Sequence, residues 1–213
     1  MSTTLASEVR QLWATPIYIY DVNEYCDGIA KMVELDGINF SIDTGNKLKE
    51  LGDKFRSKDY SFIDYKGYGT EKLREFLRMA IKEIGQDRNW PKGYTYDWRS
   101  RRNIYMPGEN DSPHYHPEPD LIAVFYVDIP ENSGDILFFE TRGAVGPFWR
   151  DKWESKDKKG RTGRVYHRIA PKPGMLVLFP NYLFHEVETN LSDDHRTSMI
   201  VDIKIFTDSE ASP

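Results

Sequence analysis

From Thr70 to Ile84 the apolar residues Leu73, Phe76, Leu77, Ala80, Ile81 and Ile84 recur every three or four positions, the period of a helix with one face against a core. Thr70 is placed as the N-cap, Glu71 puts a favourable charge in the first turn, and Gly85 is expected to stop the helix. No polar group converges on this stripe, so the helix reads as scaffold. Two weaker helices are expected over roughly 23 to 36 and 45 to 56, and PIYIYDV near the start reads as a short strand. Together these elements buttress a sheet.

Beyond about residue 95 the period changes. Short apolar or alternating runs follow one another, separated by Gly, Pro and Asp: TYDWRSRRNIYMP, DLIAVFYVDI, GDILFFE, RVYHRIA, GMLVLF, FHEVE and RTSMIVDIKIF. Seven or eight such strands fit a double-stranded jelly roll, whose mouth can enclose a ligand cavity. The expected organisation is mostly β with flanking helices in one domain: a helix and strand buttress over 1–94 and a double-stranded β-helix core over 95–206. Between Gly143 and Arg164 the regularity lapses. That insert, 143–164, carries seven basic and three acidic residues from Arg150 to Arg164, together with Trp149 and Trp153. A loop this long reads as a substrate lid built on Trp149, Arg150 and Trp153, or else as a solvated charged loop.

Composition narrows the partners. A net charge of −5 and a pI near 5.6 argue against a nucleic-acid footprint, which shows as a basic domain or stripe. A single cysteine, Cys26, leaves no internal disulfide, and MSTTLASEVRQLWATP lacks the apolar core of a secretory signal, so a cytoplasmic location is expected. No run approaches eighteen uninterrupted apolar residues, so no membrane partner is expected. Aromatic residues make up 14% of the chain, which suits twisted sheets with large side chains on both faces.

The chemistry concentrates in three histidines. His114 and His116 stand in HYHPEPD, and in an extended strand their one-residue spacing puts both imidazoles on one face, about 7 Å apart. His185, in LVLFPNYLFHEVE, would be brought opposite them by a folded barrel. Two neighbouring histidines and one distant one make an open facial site of the kind that holds non-haem Fe(II), a site usually completed by a carboxylate. Here no carboxylate stands in the expected place. A lone histidine on a strand is more often structural than a ligand, and His167 and His195 are read as structural or exposed. Arg196 by itself would pair with Asp193 or Asp194 as a surface contact of little energetic weight.

The order HYH, LIAVFYVDIPENSGDILFFE, PKPGMLVLFPNYLFHEV and then R-T-S in a final strand resembles the Fe(II)/2-oxoglutarate dioxygenases of prolyl-hydroxylase type. It is more closely similar to the small 2-oxoglutarate-Fe(II) oxygenases of phages and bacteria, over about residues 96 to 206, with WATPIYIYDV like their opening strand. The resemblance implies iron held by a His-x-Asp/Glu pair and a distal histidine. His114 and His185 take the first and last places, and His116 falls in the carboxylate slot. Three readings stand: all three histidines bind the metal, only His114 and His185 do, or the register slips so that His116 and Glu118 form the pair. A neutral triad would leave the iron its full +2 charge and strengthen its grip on a dianionic cosubstrate.

The resemblance also implies that 2-oxoglutarate chelates iron through its keto acid end and needs a cationic partner for its far carboxylate. Arg196 is that candidate, with Ser198 on the same face, Tyr126 completing the contact and Asn103 as a further cosubstrate or water contact, its direction left open by parity. The implied enzyme takes Fe(II), 2-oxoglutarate and O2 and hydroxylates a small-molecule substrate. The basic insert in an acidic chain points to an anionic, carboxylate-bearing or amino-acid-like one. Two rivals remain: a cupin-like three-histidine dioxygenase that does not use 2-oxoglutarate, for which Arg196 and Ser198 would be superfluous, and a non-catalytic jelly-roll binding module.

Overall fold

A computed structural model of the protein describes residues 15–23, 70–139 and 166–207. The strand expected at the start is β1 (Tyr18–Asp21), and the helix expected from Thr70 is α1 (Thr70–Asp87). The remaining strands are β2 (Thr95–Tyr105), β3 (Asp111–His114), β4 (Leu121–Asp128), β5 (Ile136–Phe139), β6 (Tyr166–Ile169), β7 (Met175–Pro180), β8 (His185–Val187) and β9 (Arg196–Phe206). The helices expected at 23–36 and 45–56 and the insert 143–164 lie, residue 23 apart, outside the described residues.

The strands form a five-stranded sheet in the order β1-β7-β4-β9-β2 and a four-stranded sheet in the order β3-β8-β5-β6. Every pairing is antiparallel. Successive strands from β2 onward cross between the sheets, except at the β5–β6 step, and this is the winding of a double-stranded β-helix. β1 adds an edge beside β7.

β4 reads in the sequence as a continuous apolar run, and the structure shows why: both of its faces are buried. Leu121, Ala123, Phe125 and Val127 face α1 and pack with Leu73, Leu77, Ile81 and Ile84. The alternate residues Ile122, Val124 and Tyr126 face the smaller sheet and pack with Ile136, Phe138, Phe179 and Ile200. The helix thus covers the outer side of the large sheet, leaving the space between the sheets for the site.

One expectation about α1 is corrected. Gly85 does not end the helix, which runs on to Asp87. The stop is Asn89, in the left-handed region at φ 52°, with Trp90 N–H donating to the Gly85 carbonyl at 2.8 Å and Asn89 N–H to that of Gln86 at 3.2 Å. That pair of bonds is the Schellman closure, and asparagine is among the few non-glycine residues that tolerate its conformation. Gly85 serves packing instead: a Cβ there would lie 2.9 Å from both the Trp90 ring and the Tyr94 hydroxyl.

Candidate metal centre and cosubstrate pocket

β3 and β8 pair with His114 directly opposite His185, so two imidazoles meet across adjacent strands. Their ring centroids are 4.3 Å apart, and His116 lies 5.1 Å from His114 and 5.2 Å from His185. One nitrogen from each ring falls in a group whose members all lie within 4.8 Å of one another, close enough for a single metal ion to bridge. The sequence expectation placed both early histidines in one strand, but β3 ends at His114. Pro117 and Pro119 cannot donate to a ladder and stop the strand there. His116 is held instead by the β7–β8 turn, its N–H donating to the Asn181 carbonyl at 3.1 Å while Asn181 Nδ2 donates to the His116 carbonyl at 3.0 Å.

The orientation of two rings follows from their Nδ1 partners. His114 Nδ1 lies 2.7 Å from the Ser112 carbonyl and His185 Nδ1 2.8 Å from the Leu183 carbonyl. A carbonyl only accepts, so each Nδ1 carries the proton and each Nε2 keeps its lone pair for a metal. Burial pushes the pKa of His185 down to about 4, against a smaller upward pull from that carbonyl. Burial does the same to His116, also to about 4, helped by the neighbouring Arg101 cation and by His114. Both rings are neutral at pH 7, the form that binds metals. Phe138 and Phe179 wall the His185 ring at centroid distances of 5.9 and 4.9 Å. Glu118, the slipped-register candidate, is turned away: its carboxylate pairs with Arg99 at 2.8 Å and its side chain is 74% exposed.

The residues expected to contact a cosubstrate come together farther along the same inner face. Ser198 in β9 pairs with Tyr126 in β4 on one side and Asn103 in β2 on the other, a row across three strands. One step along β9, Arg196 pairs with Tyr105. Parity in this register settles the direction of Asn103: it shares the face of Ser198 and Arg196. Arg196 is 1% exposed, not the surface contact its neighbours in sequence would have made it. His195, not Arg196, pairs with Asp194, at 2.9 Å. The guanidinium Nη1 donates to the Gly134 carbonyl at 2.8 Å and to that of Ser133 at 3.3 Å. The rings of Tyr126 and Tyr105 flank it at 5.5 and 5.8 Å. Its Nε is buried without a hydrogen-bond partner among the described residues. Burial raises the Tyr126 hydroxyl to about 12 against the pull of the Arg196 charge. Gly134 sits at φ +89°, and a Cβ on it would lie 2.3 Å from the Glu188 carbonyl oxygen, so glycine is required at the turn that cradles the arginine.

Four inner residues escaped the sequence reading. Asn103 Nδ2 donates to the Tyr105 hydroxyl, which donates to Asp111 Oδ2, each at 3.1 Å, and that oxygen lies 3.9 Å from His114 Nε2. This polar chain runs from the arginine end to the triad. At the triad end, Arg101 pairs with Asp202, whose Oδ1 lies 3.8 Å from His116 Nδ1. Asp202 was signalled all the same, since alternate residues of β9 from Arg196 onward share a face. His167 is exposed, the second of the two readings given to it, and Trp149, Arg150 and Trp153 lie outside the described residues.

Residues 99–202 match the family described as "Putative 2OG-Fe(II) oxygenase". Over that stretch, just under half of its length, the chain is similar to the Fe(II)/2-oxoglutarate oxygenases. Its fold is similar to that of a Pseudomonas putida prolyl-4-hydroxylase, with 18% identity and a TM-score of 0.53 over 91% of this chain and 89% of that one. It is also similar to a prolyl hydroxylase from Trichoplax adhaerens, solved with a hypoxia inducible factor oxygen degradation domain peptide fragment. There the identity is 14% and the TM-score 0.54, over 95% of this chain and 90% of that one. At such identities the likeness is one of fold. No curated protein matches the chain in sequence. Oxygenases of this family use Fe(II), 2-oxoglutarate and O2. Among the described residues no helix is long and apolar enough to cross a membrane.

Proposed function

We propose that His114, His116 and His185 hold Fe(II), that Arg196 with Ser198, Tyr126 and Asn103 receives the far carboxylate of 2-oxoglutarate, and that the enzyme hydroxylates a small carboxylate-bearing or amino-acid-like substrate. The observation that carries this reading is the state of Arg196. A permanent cation is buried between the sheets, its Nη1 donating to two carbonyls and its Nε without a hydrogen-bond partner among the described residues. Leaving such a donor unmet costs about 1–3 kcal/mol or more. A carboxylate meeting the guanidinium supplies the missing acceptor and the missing charge together. The chemistry of the donor set fits iron equally well: three neutral imidazoles leave room for a chelating cosubstrate.

With both bound, iron and 2-oxoglutarate supply the oxidising chemistry, in which 2-oxoglutarate, O2 and a C–H bond become succinate, CO2 and a C–OH group. The protein's own part is positional. The histidines would hold the ion and Arg196 would orient the diacid. Phe138, Phe179 and Ile200, buried between the sheets with Phe179 against the His185 ring, give the site apolar neighbours that keep water from it. The insert from Gly143 to Arg164 is read as the substrate lid, with Trp149, Arg150 and Trp153 its candidate contacts. Its basic excess in a chain of net charge −5 favours an anionic substrate.

Anaerobic addition of 2-oxoglutarate to the Fe(II) protein tests the assignment. A weak visible charge-transfer band is expected from keto acid chelation, and succinate should form when O2 and a panel of amino acids and carboxylates are added. Protein that binds Fe(II) yet shows neither band nor succinate belongs with the cupin-like three-histidine dioxygenases instead. Tryptophan fluorescence or protease sensitivity of the insert should change when substrate joins the complex. Equal cleavage in every state reduces it to a surface loop.

A further inference from the structure

The three rings of the triad differ in what stands behind them. Nδ1 of His114 and of His185 faces a backbone carbonyl, at 2.7 and 2.8 Å. Nδ1 of His116 faces a carboxylate, Asp202 Oδ1, at 3.8 Å. Asp202 arrives there by strand parity: Arg196, Ser198, Ile200 and Asp202 alternate along β9 on the face between the sheets. Its Oδ2 is paired with Arg101 Nη1, and the two side chains are 13% and 25% exposed. Its Oδ1 is buried with no hydrogen-bond partner among the described residues. A buried carboxylate oxygen without a donor is unfavourable, and the His116 ring is the donor facing it. The 3.8 Å separation is too long for a hydrogen bond, and a shift of about 1 Å in the carboxylate closes it.

We propose that Asp202 is a positioning residue of the metal centre: it accepts a hydrogen bond from His116 Nδ1, fixes that ring with Nε2 toward the metal, and lends a three-histidine site the negative charge it lacks. The inference rests on the reading of the triad as the Fe(II) site. Backbone carbonyls orient His114 and His185 but bring no net charge. Asp202 brings a full one, on the ring that stands where the broader family pattern has a carboxylate ligand. An imidazole hydrogen-bonded to a carboxylate is a more basic ligand, so the charge reaches the ion through the ring. Arg101 holds Oδ2 and so aims Oδ1 at His116, while its own charge competes for the carboxylate.

The test is anaerobic Fe(II) binding by calorimetry on the full chain, with the visible spectrum of the Co(II) form and the Tm of metal-free protein measured beside it. Asp202→Asn should weaken Fe(II) about 10- to 100-fold and shift the Co(II) bands, and Asp202→Glu should recover most of the affinity. Arg101→Met should lower Tm yet bind Fe(II) at least as tightly as wild type, because the carboxylate is released to His116. Wild-type affinity in Asp202→Asn, or equal loss in both variants, would make the pair a structural clasp and overturn the proposal. If Asp202→Asn does not fold, the imidazole ¹H–¹⁵N spectrum of wild type loaded with Zn(II) decides. A hydrogen-bonded His116 Nδ1 proton downfield of those of His114 and His185 supports the role, and metal bound at His116 Nδ1 refutes it. Failure of the triad itself looks different: wild type fails to bind Fe(II), or His116→Ala keeps full affinity, and both readings then fall together.

Discussion

On the helix side of the five-stranded sheet, Leu121, Ala123, Phe125, Val127, Met199, Val201 and Ile203 pack against α1, with Ser100 and Thr197 as small buried polar residues on the same side. One residue over, on the side facing the smaller sheet, the same strands carry Tyr126, Arg196, Ser198 and Asp202 among their aliphatic neighbours. The outer face is a surplus of hydrophobic burial, at about 25 cal/mol per Å² of apolar area removed from water. The inner face holds groups whose burial is unfavourable alone: the Nε of Arg196 and the Oδ1 of Asp202 are buried with no hydrogen-bond partner among the described residues. A sheet with two covered faces can concentrate its stability on one and tolerate on the other the polar groups that recognition requires.

The sharpest break in this contrast is at the triad. His185→Ala or His114→Ala should abolish stoichiometric Fe(II) binding while circular dichroism shows the fold intact. Full affinity retained in His114→Ala together with loss in Glu118→Ala would revive the slipped register.

Next comes Arg196→Met, which should weaken 2-oxoglutarate by about 2–5 kcal/mol, roughly thirty- to several thousand-fold, with metal affinity nearly unchanged. Because the substitution removes an unsatisfied buried charge and fills the space with an apolar chain, the Tm of ligand-free protein should hold or rise. A large fall in Tm would show that the arginine is a structural member of the core.

The complementary change on the outer face is Leu77→Ala. Leu77 is fully buried against the sheet, so the variant should lose about 2–5 kcal/mol in denaturant unfolding. Folded Leu77→Ala protein should bind Fe(II) and 2-oxoglutarate as wild type does, and altered cosubstrate affinity would mean that the two faces are coupled.

Counted per ring and per pH unit, the smallest step is in pH. His116 and His185 titrate at about 4 in the folded protein, against an ordinary value of 6.5. The unfolded chain therefore binds more protons between those values. The stability of metal-free protein is complete above pH 6.5 and falls as pH drops toward 4, by up to about 1.4 kcal/mol per pH unit for each ring. Urea unfolding of metal-free protein across that window measures the slope, and His185→Ala should reduce it.

Much of this was legible in order and period alone. Strand positions, the alternation that puts Ile122, Val124 and Tyr126 on one face, and the stripe of α1 follow from local spacing, which survives whatever the chain packs against. Order and the family resemblance carried the chemistry: His185 and Arg196 stood out by their places after the HYH segment, not by residue type alone. The pairings were not legible, because register is a long-range property. His114 meets His185 across 71 positions of chain, and only that register puts them opposite each other. Gly85 looked like a helix stop because glycine permits one, whereas the tertiary contact with Trp90 and Tyr94 decides its role. Asp202 is one charged residue among many in the sequence. The β2–β9 register and the β7–β8 turn bring it beside His116, where the low dielectric between two sheets makes a carboxylate consequential.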